Sequence, residues 1–204
     1  MVGVVDTKGG NLLSICKALD FIGGDVELCS SPEEVLKADR VVLPGVGAFG
    51  KVMDRLTESG LLDALTAVRA TGRPILGICI GMQLMASRSF EHGEREGLGW
   101  LEGEVVRLDP SDSALRVPHV GWHDTWFCGD SPLFMGVPDG ADLYYVHSYH
   151  FVPDDDDVVE ACFYYGSRIV ASVRHENVMA TQFHPEKSQS HGLRILENFL
   201  DMDP

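Results

Sequence analysis

The sequence PILGICIGMQL, residues 74–84, joins an apolar strand directly to a helix. Its pattern predicts a strand at Pro74–Ile78 and a helix that begins at about Gly81. The chain before it alternates in the same way, with strands predicted at Val2–Asp6, Val26–Cys29 and Arg40–Leu43. Strands that alternate with helices predict a parallel sheet with right-handed crossovers, and ligands bind beyond the carboxyl ends of such strands.

Helices are predicted between these strands. The first covers Leu12–Phe21 and follows a Gly-Gly-Asn turn at residues 9–11. The second begins at residues 31–34, Ser-Pro-Glu-Glu, because serine caps a helix, proline suits its first turn, and acids favour its positive end. Val52–Arg69 is predicted to form one helix or two helices around Gly60.

The second half is richer in strands, and a helix closes the chain at Gly192–Leu200. Strands are predicted at Leu98–Leu108, Trp122–Cys128, Leu143–Val146, Val158–Tyr165, Ile169–Arg174 and Val178–Gln182. The length of 204 residues suits one domain. We therefore expect a single α/β domain over residues 1–204, with an open, mostly parallel sheet flanked by helices and a smaller mixed β portion.

Acidic residues dominate the charge, with 31 Asp and Glu against 16 Lys and Arg and a formal net charge of −15. Such a surface repels phosphate backbones and anionic lipids, so we expect neither a nucleic-acid partner nor a membrane partner. The excess fits ordinary solubility, with adaptation to a salt-rich cytoplasm as a weaker alternative. The acidic run Asp154–Asp157 is predicted to be a solvated turn.

The cysteines and histidines show no metal-binding pattern. The five cysteines include no C-x-x-C pair, and no H-x-x-x-H pair lies on a predicted helix. We therefore expect no metal and no cofactor. The N-terminal residues predict a strand and not a signal peptide, and the longest apolar stretch, Ile75–Ala86, is too short to cross a bilayer. A cytoplasmic protein is expected.

A glycine pattern, G-x-G-x-x-G, lies at residues 45–50 in a predicted loop from Pro44 to Gly50. A dinucleotide site would place an acidic residue at the end of the next strand, but that strand ends at Cys79. The lack of this acidic residue argues against a dinucleotide-binding site. The preferred interpretation is that glycines let backbone N–H groups approach a reacting group closely.

Cys79 is the candidate nucleophile. Residues 77–81 read G-x-C-x-G, the thiol counterpart of the G-x-S-x-G turn that exposes a nucleophile between a strand and a helix. The helix N-terminus can lower a thiol pKa, and the N–H of Ile80 can stabilise an oxyanion. The alternative for Cys79 is a small buried core residue. The other four cysteines lack such a setting and are predicted to be structural.

A thiol nucleophile needs a base, and the base needs a group that orients it. His184 follows an apolar strand, and Glu186 lies two residues later. Residues two apart in an extended segment point the same way, so Glu186 is expected to hold the imidazole of His184. The seven other histidines are predicted to be surface or structural residues.

Residues 77–84 together with Phe183-His184-Pro185-Glu186 resemble the class I glutamine amidotransferases, whose triad is Cys-His-Glu. The resemblance spans essentially the whole chain. Within that family, the chain is similar to the glutaminase subunits of imidazole glycerol phosphate synthases at residues 44–50, 118–122, 145–149 and Lys187. The resemblance implies that glutamine is the substrate. Cys79 would form a thioester with the side-chain amide, His184 would transfer protons, and Glu186 would orient His184.

The resemblance also implies binding roles. The backbone N–H groups of Val46 and Ile80 would stabilise the oxyanion, and glutamine would be held by Gly47, Gln83, Ser148 and Tyr149. Ammonia would pass to a separate cyclase subunit that makes imidazole glycerol phosphate and aminoimidazole carboxamide ribotide in histidine biosynthesis. This heterodimer partner would be contacted by Pro118, Trp122 and Lys187. Trp122 read alone also fits a core position, and His123 stands where the family often has asparagine.

Other functions remain open at this stage. The same glutaminase chemistry could serve a different synthase, such as one that amidates surface sugars. A binding module without catalysis is disfavoured because all three triad residues are present. A thiol stress-response protein is disfavoured because it has no need of the 45–50 loop or of His184 and Glu186. Because a coupled glutaminase must not waste glutamine, we expect low basal activity.

Overall fold

A nine-stranded sheet forms the centre of the computed structural model, which describes residues 1–9, 12–110 and 115–203. A second sheet of four strands packs beside it. In chain order the strands of both sheets are β1 (Val2–Val5), β2 (Val26–Cys29), β3 (Arg40–Gly45), β4 (Ile75–Cys79), β5 (Ala86–Ser89), β6 (Arg95–Glu96), β7 (Leu101–Arg107), β8 (His119–Phe127), β9 (Ala141–His147), β10 (Tyr149–Pro153), β11 (Val159–Tyr164), β12 (Arg168–His175) and β13 (Val178–Thr181).

The nine strands lie in the order β2-β1-β3-β4-β13-β12-β11-β8-β9. The first five are parallel neighbours, as the alternation of strands and helices predicts. The last four run antiparallel, so the prediction of a mostly parallel sheet describes only the first five strands. Short links explain the difference: residues 165–167 join β11 to β12, and residues 176–177 join β12 to β13. Links of two or three residues cannot make the crossover that a parallel pair needs.

The smaller sheet has the order β10-β7-β5-β6 and is mixed, since β5 and β7 are parallel and the other pairs are antiparallel. This is the smaller mixed β portion that the sequence predicts. However, β5, β6 and β10 are absent from the predicted strands. The segment that forms β5 follows the predicted helix directly, and β10 is separated from β9 by Ser148 alone.

The helices flank the large sheet, and their bounds are α1 (Leu12–Phe21), α2 (Pro32–Lys37), α3 (Phe49–Glu58), α4 (Leu61–Ala70), α5 (Ile80–Leu84) and α6 (Gln189–Leu200). The predicted cap of α2 is present, because Ser31 accepts a hydrogen bond from the N–H of Glu34 while Glu34 accepts from Ser31. A left-handed residue, Gly60 (φ 74°), separates α3 from α4. The turn predicted before α1 includes Gly10 and Asn11, which lie outside the described residues.

The predicted loop from Pro44 to Gly50 is shorter than expected. Pro44 and Gly45 complete β3 because they pair with β4, and Phe49 and Gly50 begin α3. Only residues 46–48 remain between the strand and the helix. The acidic run Asp154–Asp157 is exposed and lies in the turn between β10 and β11, as predicted.

Alternate residues of the central strands pack on opposite faces of the large sheet. Val41 and Leu43 belong to one buried cluster, whereas Val42 between them belongs to a second cluster. β4 divides in the same way, with Ile75 in the first cluster and Leu76 in the second. This alternation follows from the two-residue period of a strand. The sheet therefore has an apolar layer on each face, as buried parallel strands require.

A buried histidine pair connects β8 to β9. His119 and His147 face each other across the two strands, with His119 Nδ1 3.1 Å from His147 Nε2. The Nδ1 of His147 lies 2.9 Å from the carbonyl oxygen of Tyr149 and must donate to it, since a carbonyl only accepts. His147 Nε2 is therefore the acceptor, and His119 Nδ1 is the donor. This assignment leaves His119 Nε2 without a proton, and it has no partner among the described residues.

Burial favours the neutral form of both rings. It lowers the pKa of His119 to about 4, with His123 adding to the shift, and it lowers the pKa of His147 to about 3. The nearby His150 and His184 also disfavour charge on His147. Because both pKa values lie below the ordinary value of 6.5, the stability that these rings contribute is present above pH 6.5 and is lost as the pH falls toward 4.

We expect the free energy of unfolding to fall on acidification by about 1.4 kcal/mol per pH unit for each buried neutral histidine between pH 6 and pH 4. His119→Asn keeps a donor toward His147 but takes up no proton, so it should remove one such contribution from the slope. Urea titrations at a series of pH values measure this slope. The matched control is His175→Asn, at an exposed position at the end of β12. A slope in His119→Asn equal to that of the unmodified protein would contradict the assignment.

Candidate active site

Cys79 lies where β4 ends and α5 begins, in a backbone conformation that side-chain-bearing residues seldom adopt. Its φ is 55° and its ψ is −105°, which costs about 1–3 kcal/mol. Close packing holds it there. A Cβ on Gly81 would lie 1.8 Å from the carbonyl oxygen of Leu43, and a Cβ on Gly45 would lie 2.8 Å from the Cβ of Ile80. Glycine at these two positions lets α5 contact β3, and the contact fixes the turn that carries the thiol.

The Cys79 thiol is almost entirely buried, with 5% of the residue exposed. Its sulfur lies 3.8 Å from the carbonyl oxygen of Val146, which can accept a hydrogen bond from the S–H group. On another side it lies 3.7 Å from the side-chain nitrogen of Gln182. The sulfur therefore has both an acceptor for the thiol and a donor for the thiolate.

His184 and Glu186 form the pair that the sequence predicts. Nδ1 of His184 lies 2.8 Å from Oε1 of Glu186, and the two side chains are 3% and 1% exposed. The prediction that residues 184–186 form an extended segment is wrong. His184 has extended backbone, but Pro185–Lys187 forms a single 3-10 turn. Proline at the first position of that turn bends the chain, and the bend brings the Glu186 carboxylate to the His184 ring.

Two neighbours set the charge of His184. Burial alone would lower its pKa, but the Cys79 thiol and the Glu186 carboxylate outweigh burial and raise the pKa to about 9. Since Glu186 occupies Nδ1, Nε2 is the ring nitrogen left to act on Cys79, and it makes no hydrogen bond to a described residue. Because this pKa is raised, the stability it contributes is present below pH 6.5 and is lost as the pH rises through about 9.

Cys79 and His184 open into one cleft of about 270 Å³ at the carboxyl ends of the parallel strands. The cleft also brings together most of the residues that the sequence predicts for the oxyanion, the substrate and the partner, namely Val46, Gly47, Ile80, Gln83, Ser148, Tyr149 and Pro118. Glu186 lies behind His184 and outside the lining. Trp122 and Lys187 are also outside it.

Gln83 is held rigidly at the edge of the cleft. It is 2% exposed, and its side-chain nitrogen donates to the carbonyl oxygen of Tyr149 at 2.8 Å and to the side-chain oxygen of Gln182 at 3.0 Å. Its own side-chain oxygen is buried and has no partner among the described residues. A buried acceptor without a donor is costly, so this oxygen is suited to a ligand N–H.

Trp122 and Lys187 meet on the surface at one residue, Tyr144. The Trp122 ring is T-shaped against Tyr144 at 5.7 Å, and the Lys187 ammonium lies 5.7 Å from the centre of the same ring. Trp122 is 40% exposed, so it is not a core residue. Pro118 is exposed and lies one residue before β8, the strand that carries Trp122. These residues therefore form a surface that reaches the cleft at Pro118.

Three residues of the lining were not predicted from the sequence, namely Glu91, Val146 and His147. Glu91 accepts a hydrogen bond from the N–H of Phe49, the first residue of α3, at 2.5 Å, and it places a carboxylate at the cleft. His147 joins the lining from the histidine pair. Glu91 lies in a turn after β5 without any motif around it, so no local pattern indicates it. His147 lies inside the segment 145–149. The alternation of buried and more exposed positions along β9, which makes His147 an inward-facing residue, is the signal that could have identified it.

The described ranges, 1–9, 12–110 and 115–203, contain neither a metal-binding cluster nor a membrane-spanning helix. No set of three or more His, Cys, Asp or Glu side chains is arranged to hold a metal ion there. None of the helices in those ranges has the length and apolar character needed to cross a membrane.

Comparison with known proteins places this geometry in a family. Residues 4–202 match the family model described as glutamine amidotransferase class-I. The chain is 44% identical over 201 residues to the imidazole glycerol phosphate synthase subunit HisH 1 of Campylobacter jejuni (strain RM1221), covering 98% of this chain and 99% of that protein. It is 45% identical over 197 residues to the subunit HisH of Aquifex aeolicus, covering 96% and 94%.

Solved structures share the fold. A crystal structure described as a glutamine amidotransferase superimposes with a TM-score of 0.76 at 22% identity, covering 98% of this chain and 97% of that one. The structure of PurLQS from Thermotoga maritima gives a TM-score of 0.75 at 19% identity, with the same coverage. The family match spans nearly the whole chain, and the Cys79 turn and the His184–Glu186 pair lie within it. This chain belongs to the class I glutamine amidotransferase family.

Proposed function

We propose that this chain is the glutaminase subunit of an imidazole glycerol phosphate synthase and supplies ammonia for histidine biosynthesis. The observation that carries the proposal is the cleft, where a cysteine on a strained turn and a histidine paired with a buried carboxylate behind it face one small cavity. Relatives of that name are 44–45% identical over nearly the full length. A single domain over residues 1–204 agrees with the large sheet, which takes strands from both halves of the chain.

The first half of the reaction forms a thioester. His184 takes the proton of the Cys79 thiol, and the thiolate attacks the side-chain amide carbon of glutamine. The amide oxygen becomes an oxyanion, which the backbone N–H groups of Val46 and Ile80 stabilise from the lining of the cleft. His184 then gives its proton to the nitrogen, the C–N bond breaks, and ammonia leaves.

The second half returns the enzyme to its starting state. Water enters, gives a proton to His184, and attacks the thioester carbon. The C–S bond breaks, glutamate is released, and the Cys79 sulfur recovers a proton from His184. Glu186 stabilises the imidazolium, because its carboxylate holds Nδ1 at 2.8 Å.

The lining suits a free amino acid. The side-chain oxygen of Gln83, which has no partner among the described residues, would accept an N–H of the substrate, and Gly47, Ser148 and Tyr149 would contribute further polar groups from the lining. Glu91 provides a carboxylate for the substrate α-ammonium group. A volume of about 270 Å³ is just below the usual range of roughly 300–1,000 Å³ for drug-sized ligands.

We also propose that the cyclase subunit binds the surface formed by Pro118, Trp122, Tyr144 and Lys187. Exposed aromatic residues are common energetic centres of interfaces, and Trp122 is supported from beneath by Tyr144. Because Pro118 belongs to this surface and to the cleft, ammonia released at Cys79 has a short path toward the partner. The partner's reaction would consume the ammonia before it escapes to water.

Replacing the nucleophile should abolish turnover without unfolding the protein. Cys79→Ala is expected to reduce glutamate release from glutamine by roughly 10⁴-fold or more, because no other group can form the thioester. The matched control is Cys128→Ala, at an exposed cysteine, which should retain full activity. Turnover in Cys79→Ala with an intact melting transition would sink the assignment of the nucleophile.

The pH profile should report the charge on His184. Activity is expected to fall at acid pH, where the thiolate is protonated, and again as the pH rises through about 9, where the imidazolium loses its proton. Glu186→Gln removes one group that raises this pKa, so the alkaline limit should move to lower pH. Rates of glutamate release across the pH range measure both limits. The control is Glu176→Gln, at an exposed carboxylate near the opposite end of β13. An unchanged alkaline limit in Glu186→Gln would contradict the role of Glu186 in raising the pKa of His184.

Partner binding should raise the glutaminase rate. Glutamate release is measured with and without the histidine-pathway cyclase and its nucleotide ligand. Trp122→Ala should increase the cyclase concentration needed for half-maximal stimulation by roughly tenfold or more. Trp126→Ala is a matched control, because Trp126 is an exposed tryptophan on the same strand, four residues further along. No stimulation by a cyclase that is active on added ammonia would favour a different synthase, such as one that amidates surface sugars.

A further inference from the structure

Gln182 contacts the nucleophile but has no role in the mechanism described so far. It follows β13 directly and is completely buried. Its backbone N–H donates to the carbonyl oxygen of Ala171 at 2.8 Å, which fixes the main chain. Its side-chain nitrogen lies 3.7 Å from the sulfur of Cys79, within the range of an N–H···S hydrogen bond.

A chain of hydrogen bonds determines which end of this amide faces the sulfur. The carbonyl oxygen of Tyr149 can only accept, so the group of Gln83 that contacts it at 2.8 Å must be the NH₂. The same NH₂ lies 3.0 Å from Gln182, so that atom of Gln182 must be the oxygen. The remaining end of the Gln182 amide is therefore its NH₂, and this end faces Cys79.

We propose that Gln182 is a further catalytic residue, whose side-chain NH₂ donates a hydrogen bond to the Cys79 thiolate and stabilises the nucleophile. The inference rests on the proposed function, in which Cys79 attacks glutamine. No bond to Gln182 forms or breaks. The thiol proton passes to His184, and the negative charge left on sulfur is shared by the imidazolium and by the amide donor.

The surroundings of the sulfur explain why such a donor is needed. Cys79 is buried, so water contributes little to solvating a thiolate there. The carbonyl oxygen of Val146, 3.8 Å away, stabilises the thiol by accepting a hydrogen bond from its S–H group but is unfavourable beside a negative sulfur. Gln182 acts in the opposite direction, since it can donate to the thiolate. Loss of this donor should therefore shift the balance toward the unreactive thiol.

Two substitutions separate a donor from a purely structural amide. Gln182→Glu keeps the oxygen that accepts from Gln83 but loses the NH₂ toward sulfur. Gln182→Met has a similar length and loses both functions. If Gln182 only positioned Gln83, the reactivity of Cys79 would not change in Gln182→Met. Gln182→Glu also brings a negative charge beside the sulfur, so the uncharged Gln182→Met is the variant that isolates the loss of the donor.

The primary measurement is the rate of alkylation of Cys79 by iodoacetamide as a function of pH. Cys128→Ala serves as the background because Cys128 is exposed, and the modified residue is identified by peptide mass spectrometry. In both variants we expect the midpoint of the alkylation profile to move to higher pH. We also expect kcat/KM for glutamine hydrolysis to fall by roughly 10- to 100-fold, the usual contribution of one hydrogen bond to a charged group.

The matched control is Asn198→Leu. Asn198 is also a buried amide, and its side-chain NH₂ donates to the carbonyl oxygens of Leu133 and Met135 and not to the cleft. It should lower the melting temperature without moving the alkylation profile. A profile unchanged in Gln182→Glu and Gln182→Met would overturn the inference while leaving Cys79 as the nucleophile. Alkylation that inactivates the enzyme without modifying Cys79 would instead overturn the proposed function.

Discussion

The site depends on the contact between the first turn of α5 and the backbone of β3. There is no room for a Cβ between Gly81 and the carbonyl oxygen of Leu43, so the helix can reach the strand only through glycine. That contact forces a sharp turn at Cys79 and holds its φ at 55°. Packing of the first turn of α5 and of β3, both buried, thus supplies the energy that keeps the nucleophile strained. The parallel pairing of β3 with β4 places this turn beside the segment 45–47, which completes the same edge of the cleft.

Histidines buried to similar degrees carry opposite charge preferences in this protein. His147 and His184 both line the cleft and are both almost inaccessible to water. The pKa of His147 is lowered because burial and the neighbouring histidines outweigh the hydrogen bond to the Tyr149 carbonyl oxygen, which acts to raise it, whereas the pKa of His184 is raised because the Cys79 sulfur and the Glu186 carboxylate outweigh burial. Burial disfavours the charged form of both rings, and only the partners of His184 outweigh it. The first ring consequently serves as a neutral hydrogen-bonding element, and the second can hold a proton next to the reacting sulfur.

The sequence predicted those features that lie in short segments. Cys79 stands in a recognisable turn motif, and His184 and Glu186 are two residues apart, so their contact could be inferred even though the 3-10 turn between them could not. β5 and β10 were missed because each follows another element with almost no intervening turn. Glu91 and Gln182 were not identified as site residues because their function arises only from chain segments brought together by the fold. Local sequence patterns cannot indicate such contacts, because the Phe49–Glu91 pair is 42 positions apart in the chain and the Cys79–Gln182 pair is 103 positions apart.

The separation of the core into two apolar layers has a consequence for how the sequence can vary. Val41 and Val42 are adjacent in the chain, but their side chains belong to different buried clusters on opposite faces of the sheet. A change in the volume of either side chain must be compensated by residues of the same apolar layer, and for Val42 that layer includes Leu76 from the next strand. Compensating substitutions should therefore be shared across strands and not along them. In evolutionary terms the two faces can drift independently, while the glycines at their common edge cannot.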